Sequence, residues 1–163
     1  MWNKGQKTYG VESNPFAKTE KFPHDRKPQY TPPTEDVLRL LAVANREEGV
    51  FLDCYLQTGA RRSEIFRWTW VEDINFEKRE VRFGTRKTKD GSMEYQWFPM
   101  SDDLYDSLWW LWNHRKFKQS PYVFVDARPG AHYGKHYKVR RRFMRGLCER
   151  AGIKPFGFHA LRR

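Results

Sequence analysis

The stretch Thr58-Gly59-Ala60-Arg61-Arg62-Ser63-Glu64 sets an arginine just past a glycine-broken helix end. A side chain at such a position projects from a tight turn toward whatever lies beside it. A guanidinium grips a phosphate through two parallel hydrogen bonds and does not lose its charge. Alone, such an arginine more often serves a surface ion pair. Near the end of the chain, Phe158-His159-Ala160-Leu161-Arg162-Arg163 places His159 and Arg162 three residues apart. On a helix both reach the same side, and Leu161 turns away into the core. A lone histidine is usually packed or solvated. A histidine and an arginine on one face, at the end of a basic tract, are placed to hold a phosphodiester.

Two further groups carry cations. Thr85-Arg86-Lys87-Thr88-Lys89-Asp90-Gly91 reads as a hairpin tip, because Asp-Gly is a strong two-residue turn signal. Lysines on a hairpin edge commonly just block aggregation. The functional alternative is a tip that delivers an ammonium group, lowered in pKa by its neighbours, as a general acid. Arg140, Arg141, Arg142 and Arg145 read as one face of a basic helix whose apolar side is Val139, Phe143 and Leu147. A helix there would bury one face and charge the other, a surface suited to a DNA backbone. No Gly-rich phosphate loop, His-Glu-x-x-His run or Gly-x-Ser-x-Gly elbow occurs. His132 and His136 have helical metal-pair spacing but no third ligand follows, so they read as surface residues.

The charge distribution points the same way. The 163-residue chain carries a formal net charge of +11, which suggests a polyanionic partner. Residues 131–163 hold ten lysines and arginines against one acid, Glu149. A dispersed solubility charge would not be so lopsided. With 39% apolar and 17% aromatic residues, the chain can bury a core without metal or disulfide staples. Cys54 and Cys148 are far apart in apolar surroundings and read as reduced, buried thiols. No apolar run of about 18 residues and no apolar signal region occur, so a cytoplasmic protein without a membrane partner is expected.

Several elements must position these groups. Residues 1–33, rich in Pro, Gly and charge, read as a linker from a separate preceding domain. A helix is expected from Thr34, ended by Gly49, with Val37, Leu40, Leu41 and Ala44 on one face. A second runs from Val50 to about Gln57, and a short third from Ser63 to Trp68. Val81 and Phe83 alternate with Glu80 and Arg82, and Tyr95 to Phe98 resumes as a strand, giving a small antiparallel sheet. Ser101 caps a helix that begins Asp102-Asp103 and shows a Leu104, Leu108, Leu111, Trp112 stripe. A last helix is expected over about Lys135–Ala151, closed by Gly152.

The order Thr-Gly-x-Arg-x-Ser-Glu, then a lysine before a glycine in a hairpin, then His-x-Leu-Arg closely resembles the catalytic domain of the tyrosine recombinase (phage integrase) family. Asp73-Ile74-Asn75 resembles the family's lead into its sheet, and Ala151-Gly152-Ile153 its run into the histidine box. The resemblance covers about Pro33 to Arg163. It implies an α+β fold, mainly α-helical with a small antiparallel sheet, in a catalytic domain spanning 34–163. It implies catalytic roles for Arg61 and Arg162 as the phosphate clamp, for Lys89 as the general acid (Lys87 if the register slips) and for His159 on the phosphate. Glu64 matches a supporting acid. Arg62, Lys87, Arg140, Arg141, Arg142 and Arg145 are expected to meet DNA.

The intact enzyme would cut and rejoin double-stranded DNA through a 3′-phosphotyrosine, without metal or nucleotide cofactor, as a homotetramer on DNA. The family's tyrosine lies some tens of residues past His-x-Leu-Arg, whereas this sequence ends one residue past Arg162. Tyr133 and Tyr137 precede the box and do not match. The domain is therefore expected to be incomplete at its C-terminus and inactive alone. Rival readings are a non-catalytic DNA-binding domain, a type IB topoisomerase-like enzyme, and an RNA-binding basic protein that fits the charge only.

Overall fold

A computed structural model describes residues 30–85, 92–140 and 142–162. The described elements are α1 (Thr34–Val43), α2 (Arg46–Thr58), α3 (Arg62–Ile65), β1 (Ile74–Asn75), β2 (Glu80–Thr85), β3 (Glu94–Pro99), α4 (Asp102–His114), α5 (Phe143–Ala151) and a 3-10 turn over Phe158–Arg162. The strands form one antiparallel sheet in the order β1-β2-β3. This is the mainly helical α+β fold expected from the sequence. Among the described residues no helix is long and apolar enough to cross a membrane.

Local chemistry explains most boundaries. Ser101 accepts from the Leu104 amide at 3.2 Å and caps α4 as expected, with Asp102 and Asp103 in its first turn. Leu104, Leu108 and Leu111 are buried, and α4 packs on α2. In β2, Val81 and Phe83 point into the core while Arg82 faces outward, the period of two that a half-buried strand requires. Arg82 is held by Asp73 at 2.9 Å, and Trp68 Nε1 donates to the Arg82 carbonyl at 2.8 Å. Gly152 closes α5 in the left-handed conformation at φ 65°. Cys54 and Cys148 are free and buried.

Two expectations fail at helix boundaries. Gly49 does not end the first helix. The break falls at Ala44-Asn45, where Asn45 accepts from the Glu48 amide at 2.9 Å and donates its own amide to the Glu48 carboxylate at 3.0 Å. This capping box starts α2 and leaves Gly49 inside it. The second failure is larger. The helix expected from Lys135 begins only at Phe143. His136 instead pairs with Val125 in an isolated β-bridge, and the Tyr137 side chain is buried against Phe66. Burying that aromatic from an extended segment competes with helix propensity and wins. Val139, read as part of an apolar stripe, is half exposed.

The core is aromatic, with Phe51 at its centre. Its ring lies 5.2 Å from Phe66, 5.1 Å from Phe124, 5.3 Å from Phe143 and 5.6 Å from Phe158. Phe143 and Phe158 stack in turn at 5.7 Å. Three of these four neighbours meet Phe51 edge to face, the geometry that aromatic quadrupoles favour.

Two stability measurements check this account. Phe51→Ala should cost about 3–5 kcal/mol in urea unfolding, the range for truncating a buried aromatic. A loss of about 1 kcal/mol or less would mean that Phe51 is not the hub. A Cβ on Gly49 would meet nothing within 4 Å. Gly49→Ala should therefore stabilise the protein by about 0.5–1 kcal/mol, because a helical glycine loses more chain entropy than alanine. Destabilisation would restore Gly49 as a helix stop.

Candidate active site

The end of α2 positions Arg61. The Gly59 amide donates to the Tyr55 carbonyl at 3.1 Å while the residue itself adopts φ 61°, a conformation that suits glycine. Thr58 Oγ1 donates back to the Cys54 carbonyl and accepts from the Ala60 amide at 3.2 Å. The chain is thereby turned outward at Arg61, which stands at the N-cap of α3. Glu64 fixes it there. Its carboxylate accepts from the Arg61 amide at 2.7 Å and from the guanidinium at 3.3 Å. The same guanidinium lies 3.4 Å from Thr85 Oγ1 at the end of β2. About half of the Arg61 side chain stays exposed.

His159 and Arg162 come from the 3-10 turn. With three residues per turn, residues three apart eclipse, so the two side chains share one side. Phe158 anchors the turn in the core and Leu161 packs against that core, as the sequence suggested. The Arg62 guanidinium lies 5.6 Å over the Phe158 ring and ties α3 to the turn.

These pieces build two adjoining clefts with Arg61 in the wall of both. One, of about 200 Å³, is lined by Arg61, Glu64, Thr85, Gln96 and Arg162 among others. The other, of about 480 Å³, is lined by Tyr55, Arg61, Arg62, Ser63, Arg145 and His159 among others. Glu64 is the one carboxylate among the lining residues of the two. Arg61 thus shares one cleft with Arg162 and the other with His159, while Arg162 and His159 line different clefts. Lys87 and Lys89 lie outside the described residues. They belong to the segment that joins Thr85 to β3, and Thr85 is in the wall of the first cleft.

The arginines expected on a DNA-facing helix divide. Arg140 is half-buried, its guanidinium 4.7 Å over Tyr137 and 4.3 Å over Phe143, and burial pulls its pKa below the ordinary value. Arg141 lies outside the described residues. Arg142 is exposed at the start of α5. Arg145 is exposed beside the second cleft but ion-paired to Glu149 at 2.8 Å.

Sequence reasoning gave no role at the site to Tyr55, Thr85 or Gln96. Thr85 adjoins the hairpin tip and was within reach of that argument. Gln96 carries no signal, because only strand pairing brings it to Arg61. Tyr55 reads as core, yet its hydroxyl is buried with no hydrogen-bond partner among the described residues. Burial raises its pKa, opposed by the charges of Arg162 and Arg62. Among the described residues no group of three or more His, Cys, Asp or Glu could hold a metal ion.

Comparison with known proteins supplies the family. No curated protein matches the chain. Among solved structures, the Tn1549 transposon integrase in complex with transposon right end DNA is similar at 16% identity and TM-score 0.68, over 99% of this chain and 60% of that one. The integrase from mycobacterium phage Brujita is similar at 19% identity and TM-score 0.61, over 96% and 50%. XerA recombinase is similar at 18% identity and TM-score 0.61, over 85% and 49%. At these identities the likeness is one of fold, and the chain spans about half to three-fifths of the length of these proteins. The model of the phage integrase family matches residues 33–163, most of the sequence, and the chain belongs to that family.

Proposed function

We propose that this chain is the phosphate-activating part of a DNA strand-transfer enzyme, a site-specific recombinase or integrase. The observation that carries the reading is the shared wall: Arg61 lines one cleft with Arg162 and the adjoining cleft with His159. A scissile phosphate seated there meets two guanidinium groups, each able to donate two parallel hydrogen bonds. Such donors stabilise the charge that builds on a phosphorane in its transition state. His159 donates to a phosphate oxygen. Lys89, in the segment that joins β2 to β3, protonates the leaving 5′ oxygen. Glu64 keeps Arg61 oriented without occupying both of its faces. No step calls for a metal or nucleotide cofactor.

The nucleophile in this reading is a tyrosine placed after Arg162, and none of the eight tyrosines here stands there. Tyr137 is buried beside Phe66 and Tyr133 packs on Phe117, outside both clefts. Residues 1–33 would link this domain to another, so that the two close around a duplex. One solved integrase similar to this chain is in complex with transposon right end DNA, which favours duplex DNA as partner. A tetramer on DNA and a cytoplasmic location belong to the same reading.

Binding tests the first half. The chain should bind duplex DNA with a steep salt dependence. Arg61→Ala and Arg162→Ala should each lower the slope of log K against log salt by about 0.9, the contribution of one phosphate contact on a duplex. Slopes equal to that of the unmodified chain would remove both residues from the interface.

Chemistry tests the second half. In a chain that carries the family's tyrosine beyond Arg163, a suicide DNA substrate should become covalently attached. Arg61→Ala and Arg162→Ala should each reduce attachment by roughly 100- to 1000-fold. Lys89→Ala should also slow cleavage, but a 5′-thiol leaving group should rescue it, since a thiolate departs without a proton. The thiol should not rescue Arg61→Ala. Equal rescue of both would overturn the division between clamp and general acid, and normal binding with no adduct would favour a non-catalytic DNA-binding domain.

A further inference from the structure

A further concavity lies apart from the proposed phosphate site. It is an open cleft of about 900 Å³ between the turn after α4 and the loop over 132–138, and it shares no lining residue with the two clefts around Arg61. Its rim carries four lysines, Lys116, Lys118, Lys135 and Lys138, all exposed. Among the described residues none of the four forms an ion pair, and no carboxylate lines the cleft.

Its floor is aromatic. Tyr122 and His136 stack at 4.3 Å and 29°, and both line the cleft, with Phe117 beside them. Burial and the charge of Lys138 hold the His136 imidazole below its ordinary pKa, so near pH 7 it stacks as a neutral ring. The floor is built into the fold at both ends. His136 bridges to Val125, and Tyr122 bridges to Thr69. Gly134, at φ 77°, lets the loop turn back, and a Cβ there would lie 3.6 Å from the Phe117 ring. The bases whose spacing suggested a metal pair, His132 and His136, both belong to this cleft.

Lysines around a half-buried aromatic floor are the chemistry of a stacking platform. A duplex keeps its bases stacked on one another and could offer only phosphates to the rim. An unpaired strand can lay a base on the floor while its phosphates meet the ammonium groups. We infer that the cleft between Lys116–Tyr122 and His132–Lys138 is a binding site for an unpaired nucleic-acid strand, separate from the phosphate site at Arg61. The inference does not depend on the strand-transfer reading. If both hold, one molecule grips a scissile phosphate and a single-stranded segment at different places.

The test uses the 163-residue chain and a short unstructured deoxyoligonucleotide containing 2-aminopurine, with the same sequence as a duplex for comparison. The variant Lys116→Ala/Lys118→Ala/Lys135→Ala/Lys138→Ala changes only exposed side chains and should fold. Its slope of log K against log salt for the single strand should fall by about 0.7 for each lysine that meets a phosphate. His136→Ala should reduce the quenching of 2-aminopurine and weaken single-strand binding by roughly fivefold or more. Lys78→Ala, in the exposed turn before β2, controls for loss of charge alone. Arg61→Ala should leave the single strand bound and weaken the duplex. An unchanged single-strand slope in the quadruple variant would overturn the inference. So would equal losses for single strand and duplex, which would make the cleft a plain phosphate contact. If Arg61→Ala left duplex binding unaltered while the cleft variants behaved as expected, the strand-transfer reading would fail and this site would stand.

Discussion

The ring of Phe51 touches phenylalanines from four other segments, and the geometry of the candidate site follows from those contacts. Phe66 follows α3, Phe124 sits on the strand-like stretch before the 132–138 loop, Phe143 starts α5 and Phe158 opens the 3-10 turn. Arg61 stands five residues before Phe66, and His159 directly follows Phe158. Nearly a hundred residues separate these two cations in sequence. The aromatic cluster sets their separation in space. Interiors packed to near-crystalline density transmit a displacement instead of absorbing it. A change at Phe51 would therefore reach the site although the residue touches no substrate.

Around that apolar centre, cations are sorted by their partners. Glu64 orients Arg61, Glu149 pairs Arg145 and Asp73 holds Arg82. Arg140 lies over aromatic rings, where its charge interacts with their faces. Lys116, Lys118, Lys135 and Lys138 face solvent around one concave place, with no ion pair among the described residues. Dissolved salt screens exposed charges from one another over about 8–10 Å near physiological ionic strength, so the fold tolerates their crowding. A polyanion entering either cleft displaces counterions and gains from the crowding that the free protein merely endures.

The two basic concavities differ in kind. The pair around Arg61 is walled by guanidinium groups, whose planar fork suits a phosphate held at a fixed angle. The cleft at His136 is rimmed by ammonium groups, which act as point charges on flexible stems, and floored by rings. The first arrangement can specify the geometry of one phosphate. The second can follow a flexible strand without demanding one geometry.

Much of the site was legible in the sequence because its motifs are local. A glycine at a helix end, an arginine after it and an acid three residues on make the Arg61 turn by themselves, and His159 and Arg162 share a side by spacing alone. Caps and alternation likewise revealed α4 and β2, since these depend on neighbours a few residues away. The boundaries that failed were decided at long range. Lys135–Arg142 has helical spacing, but burial of Tyr137 against Phe66 and the bridge to Val125 stabilise an extended chain more than the expected helix would. The same packing turned Arg140 inward, which no charge count could reveal. Composition and motif order thus pointed to phosphate as the ligand and to the residues that could hold it. Only tertiary structure decided which of them share a surface, because that depends on apolar contacts between segments that sequence distance keeps apart.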